Sequence, residues 1–295
     1  MEIIKISPQG FCKGVINAIY TLNKSLKDDN YIKPLYMLGG IVHNKHIINA
    51  YINKGIKIIK FEDIDNISKG TILITAHGLS NIKKEYIKSK GLNIIDTTCM
   101  EVKKIQDVIN EKENEGYDVI YYGSSSHPEC KAILEDHKKI HLIESIEDIE
   151  KLNIKNNKIM FASQTTSSSF EISKIEKILE FRYPQIIKIS DICNATKYRQ
   201  QALIEKAKEC DLVLIIGDKL SNNTKMLVNL AKEYTNAIQI ENYDELDSID
   251  LSNVKKLGIT AGASTPNILV DEIIKRINDN EYIINLEEDD YINYK

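Results

Sequence analysis

The sequence predicts an α/β protein of three similar lobes, each with a small, mainly parallel sheet, related by pseudo-threefold symmetry about a common centre. Three observations carry that expectation. Apolar, β-rich runs of four to six residues alternate with longer helix-period stretches, the pattern of strand–helix units that pair in parallel. Cys12, Cys99 and Cys193 each follow such a run, 87 and 94 residues apart, and a stretch of similar length follows the last. The pentapeptide IIKIS occurs at 3–7 and again at 186–190, each time shortly before one of those cysteines.

Each repeat opens with an amphipathic helix after its cysteine: GVINAIYTLNKSL, EVKKIQDVINEKE and RQQALIEKAKE. A buried strand ending on glycine comes next (PLYMLGG, YDVIYYG, DLVLIIG) and opens into a polar loop (IVHN, SSSHPE, DKLSNN). A helix, a short strand and an acidic connector (FEDID, ESIEDIE, ENYDELD) lead to a second buried strand and a second loop, in TILITAHG, KIMFASQTT and KLGITAGAS. A further helix and strand close the unit. LNIID runs to Cys99, the second IIKIS runs to Cys193, and EYIINLEE ends the third unit without a cysteine. The first IIKIS is the corresponding strand placed before unit one. The lobes are therefore expected at 1–98, 99–192 and 193–295, the last with a C-terminal tail.

At 295 residues and 42% apolar content the chain can bury a substantial core. Its net charge of −4, with both signs mixed throughout, offers no cationic face to a polyphosphate, so no nucleic-acid partner is expected. No apolar run approaches the roughly 20 residues of a membrane helix, and no leader pattern opens the chain. A cytoplasmic protein is expected. Five cysteines without close pairing argue for reduced thiols rather than a disulfide framework.

Cys130 and Cys210 have no counterparts in the other units and read as small buried hydrophobes. The other three cysteines recur at one strand-end address, which points to a shared metal centre. Structural zinc would call for a fourth ligand and closer spacing. Three thiolates alone suit an iron–sulfur cluster with one iron left open to substrate, serving as Lewis acid and electron conduit together. Strand carboxyl ends and helix N-termini gather ligands in such sheets, and the loops there carry His43, His77, His127, Glu129, Thr165, Thr166, Ser221, Asn222, Asn223 and Ser264. Histidines, hydroxyls and amides with few fixed charges suit an oxyanion such as a diphosphate. His46, His137 and His141 read as ordinary structural residues. Glu129 would be explained by the helix dipole alone, yet apart from Asp218 it is the only carboxylate in these loops and the natural proton donor for a reductive C–O cleavage, with Thr165 as a relay.

PQGFCKGV, VHN, AHG, DTTC, HPE, QTT, DICNATKYRQ, SNNT and TAGAST stand in order along the chain. In that order and spacing the sequence resembles the 4-hydroxy-3-methylbut-2-enyl diphosphate reductase family, over about residues 3–285. The resemblance implies a [4Fe-4S] cluster on Cys12, Cys99 and Cys193, in the middle of three lobes. It implies diphosphate binding by His43, His77, His127, Ser221, Asn223 and Ser264, with Asn222 among the contacts, Thr165 beside the hydroxymethyl group and Glu129 delivering protons. A ferredoxin or flavodoxin would supply two electrons, and water, isopentenyl diphosphate and dimethylallyl diphosphate would be the products. The chain departs from the family pattern at Gln9, where arginine is usual, at Lys13, and at Asn222, where serine is frequent. A quinolinate-synthase-like dehydratase is the nearest enzymatic rival, although its dicarboxylate chemistry leaves the HPE, QTT and SNN loops without a purpose. A non-catalytic iron–sulfur sensor would need the cysteines but not Glu129.

Overall fold

The computed structural model describes residues 1–189, 192–279, 282–283 and 286–292. Among them, twelve strands form three four-stranded sheets of one design. The first has the order β3(Lys57–Ile59), β2(Leu35–Leu38), β4(Thr71–Ile74), β5(Asn93–Asp96). The second runs β7(Ile140–Ile143), β6(Asp118–Tyr122), β8(Ile159–Ser163), β9(Ile187–Ile189). The third runs β11(Asn236–Ile240), β10(Leu212–Ile216), β12(Lys256–Ala261), β1(Glu2–Lys5). Every recorded strand pairing is parallel. The inner strands β4, β8 and β10 are buried at every position, as parallel strands covered on both faces must be, so they read as unbroken apolar runs.

One expectation changes here. The fourth place in the third sheet, assigned from sequence to EYIINLEE, is taken by β1, whose Glu2 pairs with Lys256 and Lys5 with Ile259. Of the EYIINLEE stretch, residues 281, 284 and 285 lie outside the described residues, and none of its described residues is in a strand. The amino-terminal IIKIS therefore does for the third sheet what LNIID and the second IIKIS do for the first and second. Ile6 anchors it. Its N–H donates to the Ile259 carbonyl, the Thr260 hydroxyl donates to its own carbonyl, and its side chain is buried with Val213, Ile215 and Leu203.

Helices follow the strands at repeated addresses. After the cysteines come α1(Lys13–Lys27), α4(Met100–Asn114) and α7(Asn194–Ala207). The third begins five residues before the stretch first read as helical. All three bury the positions three, six and ten residues beyond the cysteine: Val15, Val102 and Thr196, then Ala18, Ile105 and Arg199, then Leu22, Ile109 and Leu203. After the first loops come α2(Lys45–Asn53), α5(Pro128–Asp136) and α8(Asn222–Lys232), and after the second loops α3(Asn81–Ser89), α6(Ser169–Arg182) and α9(Asn267–Asn278). The acidic connectors are single 3-10 segments at 61–66, 146–151 and 244–248.

The chain divides into two compact units. One comprises residues 1–27, 39–58 and 194–295, the other residues 28–38 and 59–193. In the first unit the tail segment Glu288–Tyr291 rests on α2: Tyr291 stacks on His46 at 4.6 Å, and the Ile292 carbonyl accepts from the Asn23 amide. No helix is long and apolar enough to cross a membrane. Ile6→Ala removes a fully buried side chain and is expected to destabilise the protein by about 2–5 kcal/mol, read as a lower denaturant midpoint at unchanged m-value.

Candidate functional site

The three repeated cysteines form no disulfide and are half-buried. One backbone device places each of them. The Cys12 N–H donates to the Ala263 carbonyl at 3.1 Å, that of Cys99 to Ala76 at 3.0 Å and that of Cys193 to Thr165 at 3.2 Å. Each acceptor lies two residues past the end of a buried strand: β12, β4 and β8 in turn. Those strand ends share a second device, a turn closed by Thr265 N–H to the Gly262 carbonyl, Gly78 to Thr75 and Ser167 to Gln164. Ser264, His77 and Thr166 thus occupy one equivalent position, just after the acceptor.

In the unit of residues 28–38 and 59–193, the loop that receives Cys193 also receives Glu129. The Thr165 N–H donates to Glu129 Oε1 at 2.8 Å, the Thr165 hydroxyl to Oε2 at 2.9 Å, and the Tyr121 hydroxyl to Oε1 at 3.3 Å. Glu129 is only 2% exposed. Burial disfavours the carboxylate and three donors favour it; burial wins, and the pKa is pushed up to about 7. The Tyr121 phenol, itself buried beside that carboxyl, is held well above its ordinary value by burial first and by Glu129 second. Tyr121 was not singled out in the sequence, because a strand buried on both faces shows no alternation to mark which residue points at the site.

His127 is the N-cap of α5. Its Nδ1 accepts from the Glu129 N–H at 3.2 Å, which places the proton of the neutral form on Nε2. Its ring meets that of His77 edge-on, with centroids 5.4 Å apart. The far end of α5 holds the loop of His77: the Asp136 carboxylate accepts from the N–H groups of Asn81 and Ile82, and Glu135 accepts from the Ser80 hydroxyl at 2.7 Å. Two acids therefore cap the positive end of α3 and tie the two histidine loops together.

In the unit of residues 1–27, 39–58 and 194–295, His43 precedes the N-cap Asn44 of α2, and its carbonyl accepts from the Ser264 hydroxyl at 3.2 Å. Burial lowers the His43 pKa; Asp218 opposes the shift and Lys225 adds to it, so the ring is neutral at neutral pH. Ser221 caps α8 by accepting from Thr224 N–H at 3.3 Å, which leaves its own proton for another acceptor. Asn223 is 4% exposed, and both polar atoms of its side-chain amide are buried without a hydrogen-bond partner among the described residues. Buried amides are satisfied in folded proteins, which makes this one a candidate ligand contact. Asn222 is half-buried at the first position of α8. The glycine of TAGAST has a steric reason: a Cβ on Gly262 would lie 2.2 Å from Thr224 Oγ1.

The remaining candidates have structural roles. His137 pairs with Glu113 at 2.7 Å and His141 with Asp118 at 3.0 Å. Cys130 is buried with its thiol pushed to about 12 by burial and the carboxyls of Glu129 and Glu144, and burial also raises that of Cys210, whose sulfur contacts the Lys206 carbonyl. Both stay protonated thiols. Of the residues that depart from the family pattern, Lys13 is exposed, while Gln9 is half-buried with its Oε1 lacking a partner among the described residues.

Three cysteines at matched strand ends, with no fourth at an equivalent address among the described residues, fit the donor set of an iron–sulfur cluster better than that of structural zinc. The chain matches the model of the LytB protein family over residues 3–278. It is 39% identical over 281 residues to a 4-hydroxy-3-methylbut-2-enyl diphosphate reductase of Geobacillus sp. (strain WCH70), covering 93% of this chain and 89% of that protein. It is 37% identical over 302 residues to the Bacillus pumilus protein of the same name, covering 100% and 94%. Its structure resembles the solved E-1-hydroxy-2-methyl-but-2-enyl-4-diphosphate reductase of Plasmodium falciparum with a TM-score of 0.89, at 31% identity over 97% of this chain and 91% of that one. A second solved structure, described as the terminal enzyme of the non-mevalonate pathway, matches at a TM-score of 0.68 and 32% identity over 95% of this chain and all of that one.

A buried glutamate with a raised pKa makes stability depend on pH. Folded Glu129 keeps a proton that the unfolded chain releases above about 4.5, so its contribution falls as pH rises from about 4.5 to about 7. Glu129→Gln should therefore gain on the wild type across that window, by up to about 3 kcal/mol, in urea unfolding at pH 5 and pH 7.5.

Proposed function

The chain belongs to the LytB protein family, and on that premise we propose that it reduces 4-hydroxy-3-methylbut-2-enyl diphosphate to isopentenyl and dimethylallyl diphosphates. The allylic C–O bond breaks, two electrons and two protons are taken up, and the hydroxyl leaves as water. Cys12, Cys99 and Cys193 would hold a [4Fe-4S] cluster, one from each of three lobes bounded at 1–98, 99–192 and 193–295. When bound, that cluster supplies a Lewis-acidic iron and a path for electrons from a ferredoxin- or flavodoxin-type donor. A cytoplasmic setting suits such a donor.

The residues of the chain bind, orient and protonate. His43, His77 and His127, with Ser221, Asn222, Asn223 and Ser264, are the diphosphate contacts. A neutral His43, the Nε2 proton of His127 and the buried Asn223 amide are directed donors, and the N-termini of α2, α5 and α8 add their dipoles. Glu129 is the proton store. With Glu129 protonated the Thr165–Oε2 bond reverses, so that Oε2–H gives its proton to Thr165 Oγ1 while the Thr165 proton passes to the departing hydroxyl; a proton from solvent then restores the carboxyl, which delivers the second proton to carbon.

The observation that carries this reading is the position of Thr165. Its side chain bonds a fully buried carboxyl poised near neutrality, and its carbonyl bonds the backbone of Cys193. A sensor or storage protein has no use for that link. The test is anaerobic isolation, iron and sulfide analysis, and reduction in the presence of the allylic diphosphate. Glu129→Gln should keep its iron and lose about 10²–10⁴-fold in turnover; a variant that keeps both iron and the wild-type rate would remove Glu129 from the mechanism. Asn223→Ala should chiefly raise KM, as loss of a ground-state contact does.

A further inference from the structure

The first strands after the three cysteine helices, β2, β6 and β10, lie in one register against β4, β8 and β12. Met37 pairs with Leu73, Tyr121 with Ala162 and Ile215 with Thr260, each partner standing three residues before the carbonyl that receives a cysteine N–H. All three side chains are fully buried, at 0% exposure. Two sheets fill that place with an apolar residue, so the packing there does not call for a hydroxyl, and a phenol buried without a partner costs stability. Tyr121 has a partner. Its hydroxyl donates to Glu129 Oε1 at 3.3 Å, and no other hydrogen-bond partner of that hydroxyl occurs among the described residues.

The donors around the Glu129 carboxyl are unequally divided. Oε1 accepts two hydrogen bonds, from the Thr165 N–H at 2.8 Å and from Tyr121, whereas Oε2 accepts one, from the Thr165 hydroxyl at 2.9 Å. Each carboxyl oxygen has about two lone-pair sites, so Oε1 is filled. A proton there would have to displace a backbone N–H that can only donate, or turn the phenol proton away from its acceptor. Oε2 has no such obstacle, because the Thr165 hydroxyl can rotate and accept instead. At 3.3 Å the Tyr121 bond is the longest of the three and directs the proton more than it stabilises the charge.

We infer that Tyr121 is a positioning residue that fixes the Glu129 carboxyl with Oε1 as the acceptor and the proton on Oε2, the oxygen that faces Thr165. This rests on the reading of Glu129 as the proton store. The three residues belong to the one unit of residues 28–38 and 59–193. The last torsion of a glutamate is soft and roughly two-fold, and half a turn about it would exchange the two oxygens. Held by the phenol as well as by the Thr165 N–H, the carboxyl keeps Oε1 as its acceptor before and after the proton leaves, and Oε2 is the oxygen reloaded for the second delivery. Tyr121 acts through Glu129 and needs no contact with substrate.

The test is the infrared carbonyl stretch of the protonated Glu129 carboxyl in the full chain, isolated anaerobically. The band is read for each chain as its difference from the same chain carrying Glu129→Gln, at about pH 6, where ordinary carboxyls are ionised and Glu129 is not. Tyr121→Phe keeps the ring and removes one donor to Oε1, so the band should move to higher wavenumber and broaden. The same variant should lower kcat severalfold with KM nearly unchanged, a smaller loss than that of Glu129→Gln. If Tyr121→Phe fails to fold, Tyr121→Met, with the side chain found at the matching place in the first sheet, carries both measurements. A Glu129→Gln enzyme with wild-type kcat would overturn the proton store itself. With Glu129→Gln slow, an unmoved band or a wild-type kcat in the Tyr121 variant would overturn the role of Tyr121.

Discussion

The placement of each cysteine depends on one short hydrogen bond. A sulfur ligand at a strand end is useful only if its backbone cannot drift, and a parallel strand loses its ladder partners where it stops. Here the adjacent strand runs two residues further and offers its carbonyl to the cysteine N–H, at Ala263, Ala76 and Thr165. The bond recurs at 3.0–3.2 Å in all three sheets. Because the acceptor residue also begins the second loop, the same contact sets where Ser264, His77 and Thr166 stand. The three cysteines and the second loops are therefore placed by a single element, and an error in one would be an error in the other.

Among the described residues, only the second repeat links this element to a buried carboxyl. Ala76 and Ala263 have nothing beyond Cβ to give, whereas the hydroxyl of Thr165 reaches Glu129. The competition at Glu129 is finely set: water is excluded, which raises the pKa, yet three donors keep the charged form accessible. Without the donors the acid would never release its proton, and without the burial it would never hold one at neutral pH. The neighbouring Cys130 and Tyr121 are both held protonated by burial.

Much of this was legible in the sequence, for a definable reason. The cysteines, the loop histidines and the three repeats are local signals, since apolar runs, glycine stops and polar loops each occupy a few consecutive residues. What remained hidden depends on partners distant in the chain. EYIINLEE has a strand-like pattern, but periodicity does not say which edge a strand joins, and the edge of the third sheet had already been filled by residues 2–5. Tyr121 lay in a strand with no polar face to give its direction away. Arg199 read as the polar start of a helix that begins at Asn194, and only the alignment with Ala18 and Ile105 shows that its side chain points inward.

The pairing of β1 with β12 also sets an order of events. Residues 2–5 are made about 250 residues before their partners, residues 256–259. Until those are synthesised, the strand that leads to Cys12 has no edge to join, while the second sheet and its link to Cys193 already have all their strands. Long-range closure of this kind is slow and comes late. Of the three repeated cysteines, Cys12 is made first and its strand is the last to find an edge, so its position is set only when the third sheet closes.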